Sequence, residues 1–284
     1  MILVFGKTGQ VASELAKLPQ TVCIGRDAAD LRNPSSCADL VLRFRPQAVI
    51  NAAAYTNVDG AEEDEKNATI INAYAPVAMA EICSNLDIPI VHISTDYVFD
   101  GSGHSPRNSN HIPSPLGAYG RSKLLGEVGI LNTRAQAVIL RTSWVFSANG
   151  KNFVKTMLSL SDTKNELSIV ADQIGGPTSA RSIAQTCHTI ATQIIGKTNK
   201  NTGIYHFSGF PDVSWAEFAE EIFSQSKCST VVNSIISDQY LTSSVRPLNS
   251  RLDCTKLLND FGVERSNWKI ELSDVLSELE CQRF

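Results

Sequence analysis

Five short apolar runs, separated by stretches of helical period, set the rhythm of the chain. MILVF (1–5), TVCI (21–24), AVINAAA (48–54), IPIVHIS (88–94) and AVILRTSWVF (137–146) are rich in β-branched residues and nearly unbroken by polar ones. Strands covered on both faces read this way. QVASELAKL, PSSCADLVLRF, NATIINAYAPVAMAEICSNL and AYGRSKLLGEVGIL lie between them and read as amphipathic helices. The βαβαβαβαβ order predicts a parallel sheet with right-handed crossovers, a doubly wound α/β fold.

Past residue 146 the rhythm becomes irregular. The pattern predicts a helix over 152–161, a short strand over 167–170, a turn at DQIGGPT and a helix over 179–195. GIYHFSG (203–209) then reads as a strand returning to the sheet, and VSWAEFAEEIFSQ opens a helical C-terminal region. The expected organisation is a sheet domain of residues 1–146 plus 172–208 and a smaller, discontinuous α/β domain of residues 147–171 plus 209–284. The turn-rich DGSGHSPRNSNHIPSP (100–115) is long for a compact fold, and it begins where a strand end would present a ligand loop.

Composition narrows the function classes. A chain of 284 residues, 43% hydrophobic and 19% charged, can bury a sizeable core. Its net charge of −4, pI near 5.8 and scattered basic residues offer no cationic surface, so nucleic acid is not an expected partner. MILVF follows no charged leader and meets Gly6 too soon for a signal segment or membrane span, so a cytoplasmic location without a membrane partner is expected. Seven cysteines without a CxxC pair suit reduced thiols, and Cys187–His188 stands outside any zinc spacing.

Two stretches carry candidate chemistry. In VFGKTGQVA (4–12), Gly6 and Gly9 follow the first strand and open a helix, with Ala12 at the third small position. That is a turn for the pyrophosphate of a dinucleotide, completed by the N–H groups of the helix start. The second strand ends in Gly25–Arg26 rather than in an acid, and an arginine pairs with a 2′-phosphate that an acid would repel, so NADPH is expected over NADH, with NADH still accepted. Asp30 and Leu31 are placed to meet adenine, although Asp30 equally suits a helix cap. At the other end, HISTDYVFDG (92–101) puts Ser94 and Thr95 at the end of the fourth strand, and Tyr119 and Lys123 sit one helical turn apart. A neighbouring ammonium is expected to lower the phenol's pKa toward the range useful for proton transfer.

These motifs together resemble the extended short-chain dehydrogenase/reductases, a family with a Rossmann-like sheet, and within it the dTDP-4-dehydrorhamnose reductases. FGKTGQV, NAAAYTNVDGAE, STDYVFDGSG, YGRSKLLGE, LRTSWVFS, NFVKTML, DQIGGPT and RPLNSRLD occur in the family's order over nearly the whole chain. The resemblance implies reduction of the C4 ketone of a dTDP-sugar to give dTDP-L-rhamnose, a precursor of surface polysaccharide. It implies that Gly9, Gln10 and Val11 hold the pyrophosphate, Asp30 and Leu31 the adenosine, and Ala54, Tyr55 and Thr56 the middle of the cofactor. Tyr119 and Lys123 would reach the nicotinamide ribose, with Tyr119 as proton donor. Thr95 and Asp96 would contact the sugar above an apolar wall at Trp144, and Arg246 and Asn249 would meet the nucleotide diphosphate.

Departures from the family pattern matter as well. Gly117 stands where relatives often carry a polar residue, which is expected to loosen the entry to the catalytic helix. Some relatives bind Mg²⁺ between subunits; Glu14 fits one ligand, but Arg181 stands where another acid is expected, so no metal-dependent dimer is predicted, only a monomer or weak homodimer. Tyr97 follows Asp96 where a dehydratase needs an acid. An epimerase, another 4-ketoreductase, or a non-catalytic NADP-binding subunit like the β subunit of methionine adenosyltransferase would share the same scaffold.

Overall fold

The computed structural model describes residues 1–196, 201–240 and 242–281. Through residue 142 the order is β1 (Ile2–Phe5), α1 (Gln10–Leu15), β2 (Thr21–Ile24), α2 (Pro34–Phe44), β3 (Ala48–Asn51), α3 (Val58–Glu63), α4 (Glu65–Thr69), α5 (Ala75–Asn85), β4 (Ile90–Thr95), α6 (Ala118–Asn132) and β5 (Ala137–Thr142). Beyond it come β6 (Val145–Phe146), α7 (Phe153–Ser161), β7 (Glu166–Val170), β8 (Ile174–Gly175), β9 (Thr178–Ser179), α8 (Ala180–Ile194), β10 (Gly203–His206), β11 (Val213–Ser214), α9 (Trp215–Gln225), β12 (Val231–Ile235), β13 (Asn249–Ser250), α10 (Thr255–Phe261) and α11 (Trp268–Cys281).

The main sheet is parallel throughout, in the order β10-β5-β4-β3-β1-β2. The period of two along each strand feeds two cores. Ile2 and Val4 of β1 face α1 and α8, where Leu15, Ile183 and Ile190 pack; Leu3 and Phe5 face α2 and α5, where Val41 and Met79 pack. Each such fully buried side chain contributes roughly 1.5–3 kcal/mol. Leu257 and Phe261 of α10 join the first of these cores. A third core, centred on Phe146, Phe218 and Trp268, joins α7, α9 and α11. The strand order reverses between β1 and β3, so the crevice above the strand ends opens there.

Four elements differ from the sequence expectation. β3 stops at Asn51 because its side-chain oxygen takes the N–H of Ala53 and turns the chain. The fifth run divides at Trp144, whose φ of 49° breaks the strand into β5 and β6. The stretch expected to be one helix after Asn67 instead passes through a π-helical turn over Ile70–Tyr74. DQIGGPT is more than a turn, since it contributes β8 and β9 to two small sheets.

One buried ion pair locks α6 onto the sheet. The guanidinium of Arg141 on β5 donates to both carboxylate oxygens of Glu127, at 2.9 and 2.5 Å, and both side chains are 1% exposed. Ser94 of β4 donates to the same carboxylate at 2.5 Å, and the ring of Phe99 covers the guanidinium at 5.0 Å. Removing one partner strands a charge in the interior. Arg141→Met alone is therefore expected to cost about 3–5 kcal/mol in urea unfolding, and the double change Arg141→Met with Glu127→Leu should recover most of it.

Candidate active site

A crevice of about 880 Å³ runs over the carboxyl ends of β1, β2, β3, β4 and β5. Its floor at one end is the turn after β1. Gly6 holds a φ of +122°, which a side chain tolerates poorly, and the space above Gly9 is open to 4 Å. Gln10 and Val11 follow at the start of α1, and the side-chain oxygen Oε1 of Gln10 accepts from Ser147 at 2.9 Å and from Asn152 at 3.1 Å. The open space above Gly9, together with backbone N–H groups at a helix start, fits a pyrophosphate. Arg26 is exposed where β2 ends, and among the described residues no carboxylate forms an ion pair with it. Leu31 is buried beside it, while Asp30 is held by Arg32 at 2.5 Å, which keeps its carboxyl below the usual range. Asp30 does not cap α2; Asn33 occupies that position.

Ala54, Tyr55 and Thr56 line the middle of the crevice. The backbone of Tyr55 is held by Asn72, a residue of the π-helical turn. Its side-chain oxygen accepts from Tyr55 N at 2.8 Å, and its amide nitrogen donates to Tyr55 O at 3.0 Å and to Ser122 of α6 at 2.9 Å. The sequence signal for this clamp is weak, because a π turn inside an amphipathic run leaves no mark in hydropathy.

Thr95, Asp96, Tyr119, Lys123 and Trp144 meet at the far end. Thr95 donates to Asp96 at 3.2 Å and accepts from the N–H of Tyr97 at the same distance. The Tyr119 ring packs edge-on against Tyr97, with centroids 5.6 Å apart. Trp144 stacks on Trp215 at 3.6 Å and 11°, presenting an aromatic wall. Lys123 is buried, donating to the carbonyl of Ile93 at 2.7 Å and standing 3.2 Å from His92 Nε2. Two buried oxygens in this end, Asp96 Oδ2 and Thr142 Oγ1, have no protein partner and are available to a ligand.

Burial dominates the electrostatics. It pushes the Tyr119 phenol up to about 12, against a smaller opposing hydrogen bond from Thr95. The expectation that Lys123 lowers this pKa is corrected: the ammonium is turned toward His92 and Ile93, and desolvation wins. Lys123 itself is pushed down to about 8 by burial, with Glu127 pulling the other way. Asp96 is pushed up to about 6 by burial, against hydrogen bonds from Ser250 and Thr95.

Two expected substrate residues stand apart from this crevice. Asn249 is buried, and its amide nitrogen is committed to the carbonyls of Ser105, at 2.9 Å, and Ser102, at 3.4 Å. It therefore fixes the 102–105 loop. Arg246 is paired with Asp59 at 3.0 Å, although its Nε is buried without a partner. The expectation for Gly117 is also corrected. A Cβ there would lie 2.4 Å from the Glu62 carboxylate, and that carboxylate accepts the N–H of Ala118 at 2.8 Å, so a small residue lets Glu62 secure the start of α6. Arg181 lies among Glu14, Asp274 and Glu278 at 3.9, 3.1 and 3.7 Å.

Comparison with known proteins gives a consistent picture. The family model described as "RmlD substrate binding domain" matches residues 1–281. A dTDP-4-dehydrorhamnose reductase of Sinorhizobium fredii is 40% identical over 277 residues, covering 94% of each chain. A crystal structure of a dTDP-4-dehydrorhamnose reductase from Clostridium acetobutylicum superposes with a TM-score of 0.92 at 32% identity, covering 98% of this chain and 99% of that one. Another from Bacillus anthracis, in complex with NADP, gives 0.90 at 31% identity, covering 98% of both. Among the described residues, no helix is long and apolar enough to cross a membrane.

The buried Asp96 has a stability consequence. Its folded pKa of about 6 lies above the ordinary carboxylate value of 3.8, so its contribution is fully present below that value and lost as pH rises through about 6. Asp96→Asn stays neutral and is expected to stabilise the fold at pH 8 by roughly 2–3 kcal/mol, with no gain near pH 3.5, as measured by thermal unfolding at the two pH values.

Proposed function

The chain belongs to the RmlD substrate-binding domain family, and from that membership we propose that it is a dTDP-4-dehydrorhamnose reductase, reducing the C4 ketone of dTDP-4-dehydro-6-deoxy-L-mannose to dTDP-L-rhamnose with NADPH. The observation that carries the reading is the meeting of Thr95, Tyr119 and Lys123 in one crevice with the glycine turn after β1. NADPH supplies the hydride when bound. The residues that would hold it are Gly6, Gly9, Gln10 and Val11 at the pyrophosphate, Arg26, Asp30 and Leu31 at the adenosine end, Ala54, Tyr55 and Thr56 at the middle, and Tyr119 and Lys123 at the nicotinamide ribose.

The protein's own part is proton delivery and positioning. A phenol near pKa 12 keeps its proton at neutral pH, as a donor must. An alkoxide forming at the sugar C4 is a stronger base than a phenolate, so proton transfer from Tyr119 runs downhill. Thr95 would hydrogen-bond the same oxygen, Asp96 would take a sugar hydroxyl with its unpartnered oxygen, and Trp144 would exclude water from one face. Arg246, with its free Nε, is the remaining candidate for the nucleotide diphosphate. In this reading the enzyme is cytoplasmic, accepts NADH less well than NADPH, and works as a monomer or weak homodimer without a bridging metal. Residues 1–146 plus 172–208 would bind the cofactor, and residues 147–171 plus 209–284 the nucleotide sugar.

The test is incubation with the keto sugar and each cofactor, with identification of the product. Cofactor oxidation yielding dTDP-L-rhamnose is expected; a 4-epimer or no turnover would overturn the reading. Tyr119→Phe should lower kcat by about 10²–10⁴-fold while NADPH binding, followed by fluorescence titration, stays near wild type. Arg26→Ala should reduce the preference for NADPH over NADH by roughly tenfold in kcat/KM, the loss of one charge-assisted contact to a phosphate.

A further inference from the structure

The turn after β1 carries a charged side chain that the reading above leaves unused. β1 and β2 are parallel neighbours, in register from Ile2 and Thr21 to Phe5 and Ile24, and the N–H of Gly6 donates to the carbonyl of Ile24 at 2.9 Å. The residues just past the two strand ends therefore share one edge of the crevice, and Lys7, Gly25, Arg26 and Asp27 all line it. Lys7 leaves the glycine turn sideways, toward β2. A Cβ on Gly25 would lie 3.2 Å from Lys7 Cδ, whereas a Cβ on Gly9, at the seat fitted to a pyrophosphate, would meet nothing within 4 Å. The lysine stem thus runs along the end of β2 and leaves the pyrophosphate seat open.

Gly25 keeps that passage clear. It is not among the glycines with positive φ, so its backbone does not itself demand glycine. The demand is for space, because a side chain at this position would start against the lysine stem and collide with Asp27 Oδ1.

We propose that Lys7 is a specificity-determining residue for the cofactor: its ammonium joins the guanidinium of Arg26 in a clamp on the 2′-phosphate of NADPH, and Gly25 is small so that it can reach there. The charges at this edge favour a phosphate. Lys7 and Arg26 are both exposed, and among the described residues neither forms an ion pair. Arg32 is spent on Asp30 at 2.5 Å. Asp27 remains at the edge, also outside any ion pair among the described residues; it opposes a 2′-phosphate and suits the free 2′-hydroxyl of NADH. Two cations against this carboxylate tip the balance to NADPH, and the carboxylate keeps NADH acceptable. The two cations are not equivalent, since a guanidinium grips two phosphate oxygens at once while an ammonium on a flexible stem acts as a point charge. The proposal rests on the reading that the crevice holds the nicotinamide dinucleotide of a reductase.

The test is fluorescence titration with NADPH and NADH. Lys7→Met keeps the stem and removes the charge. Its Kd for NADPH should rise about tenfold while that for NADH changes by less than about twofold, and Lys7→Arg should restore the wild-type ratio. Asp27→Asn should move the ratio further toward NADPH; a move toward NADH overturns the proposal. Equal weakening of both cofactors by Lys7→Met would put the ammonium at the pyrophosphate they share and overturn it too, as would no change in either. Calorimetry with 2′,5′-ADP and 5′-AMP, which differ only in the 2′-phosphate, separates the clamp from the reaction. Lys7→Met should weaken the first and spare the second, and an unchanged affinity for 2′,5′-ADP overturns the proposal. Wild-type protein that binds 2′,5′-ADP more tightly than 5′-AMP, loses that difference in Lys7→Met, and yet fails to reduce the keto sugar would remove the reductase reading and leave the clamp standing.

Discussion

Two opposite charges buried together, Glu127 and Arg141, are the constraint on which the rest of the site depends. Neither tolerates the interior alone, so α6 has one acceptable register against β4 and β5, the one that closes the bidentate pair. Lys123 lies one turn before Glu127 and Tyr119 two turns before it. Registering the helix by its charged half therefore delivers the phenol and the amine to the crevice end. The Glu62 carboxylate at the N–H of Ala118 secures the same helix at its other end.

Desolvation also unifies the chemistry. The same withdrawal from water raises Tyr119 and Asp96 and lowers Lys123 and His92, in every case favouring the neutral form. A reducing site can use that uniformity: a phenol kept neutral still holds the proton that an alkoxide would take, and the negative charge then passes to the phenolate. Asp30 and Asp59, whose pKa moves the other way, are each paired with an arginine, Arg32 and Arg246.

The sheet was legible because strands buried on both faces leave runs too apolar to be mistaken, and β1, β2 and α2 start or end within a residue of their pattern. Thr95, Tyr119, Lys123 and the glycine turn were legible because each carries its chemistry in local spacing. Asn51, Glu62, Asn72 and His92 were not. Their importance lies in partners 2 to 56 residues away, and nothing in hydropathy distinguishes a clamping asparagine from a surface one. At Asn249 the two levels point to different partners: a motif suggests a ligand contact, while the fold directs its amide nitrogen to a loop. Local spacing also gave the sign of the Tyr119 shift wrongly, because burial is a property of the whole packing and outweighs one neighbour.

The π-helical turn over Ile70–Tyr74 bears on how this chain can change over time. Such a turn holds one residue more than a regular helix needs, and that extra residue is what brings Asn72 around to both Tyr55 and Ser122. A deletion there would regularise the helix and swing one flank by about 100°. Lineages that keep the crevice are thus held to this segment's length even where its side chains drift, so an alignment gap at this point would mark a protein that has given up the clamp.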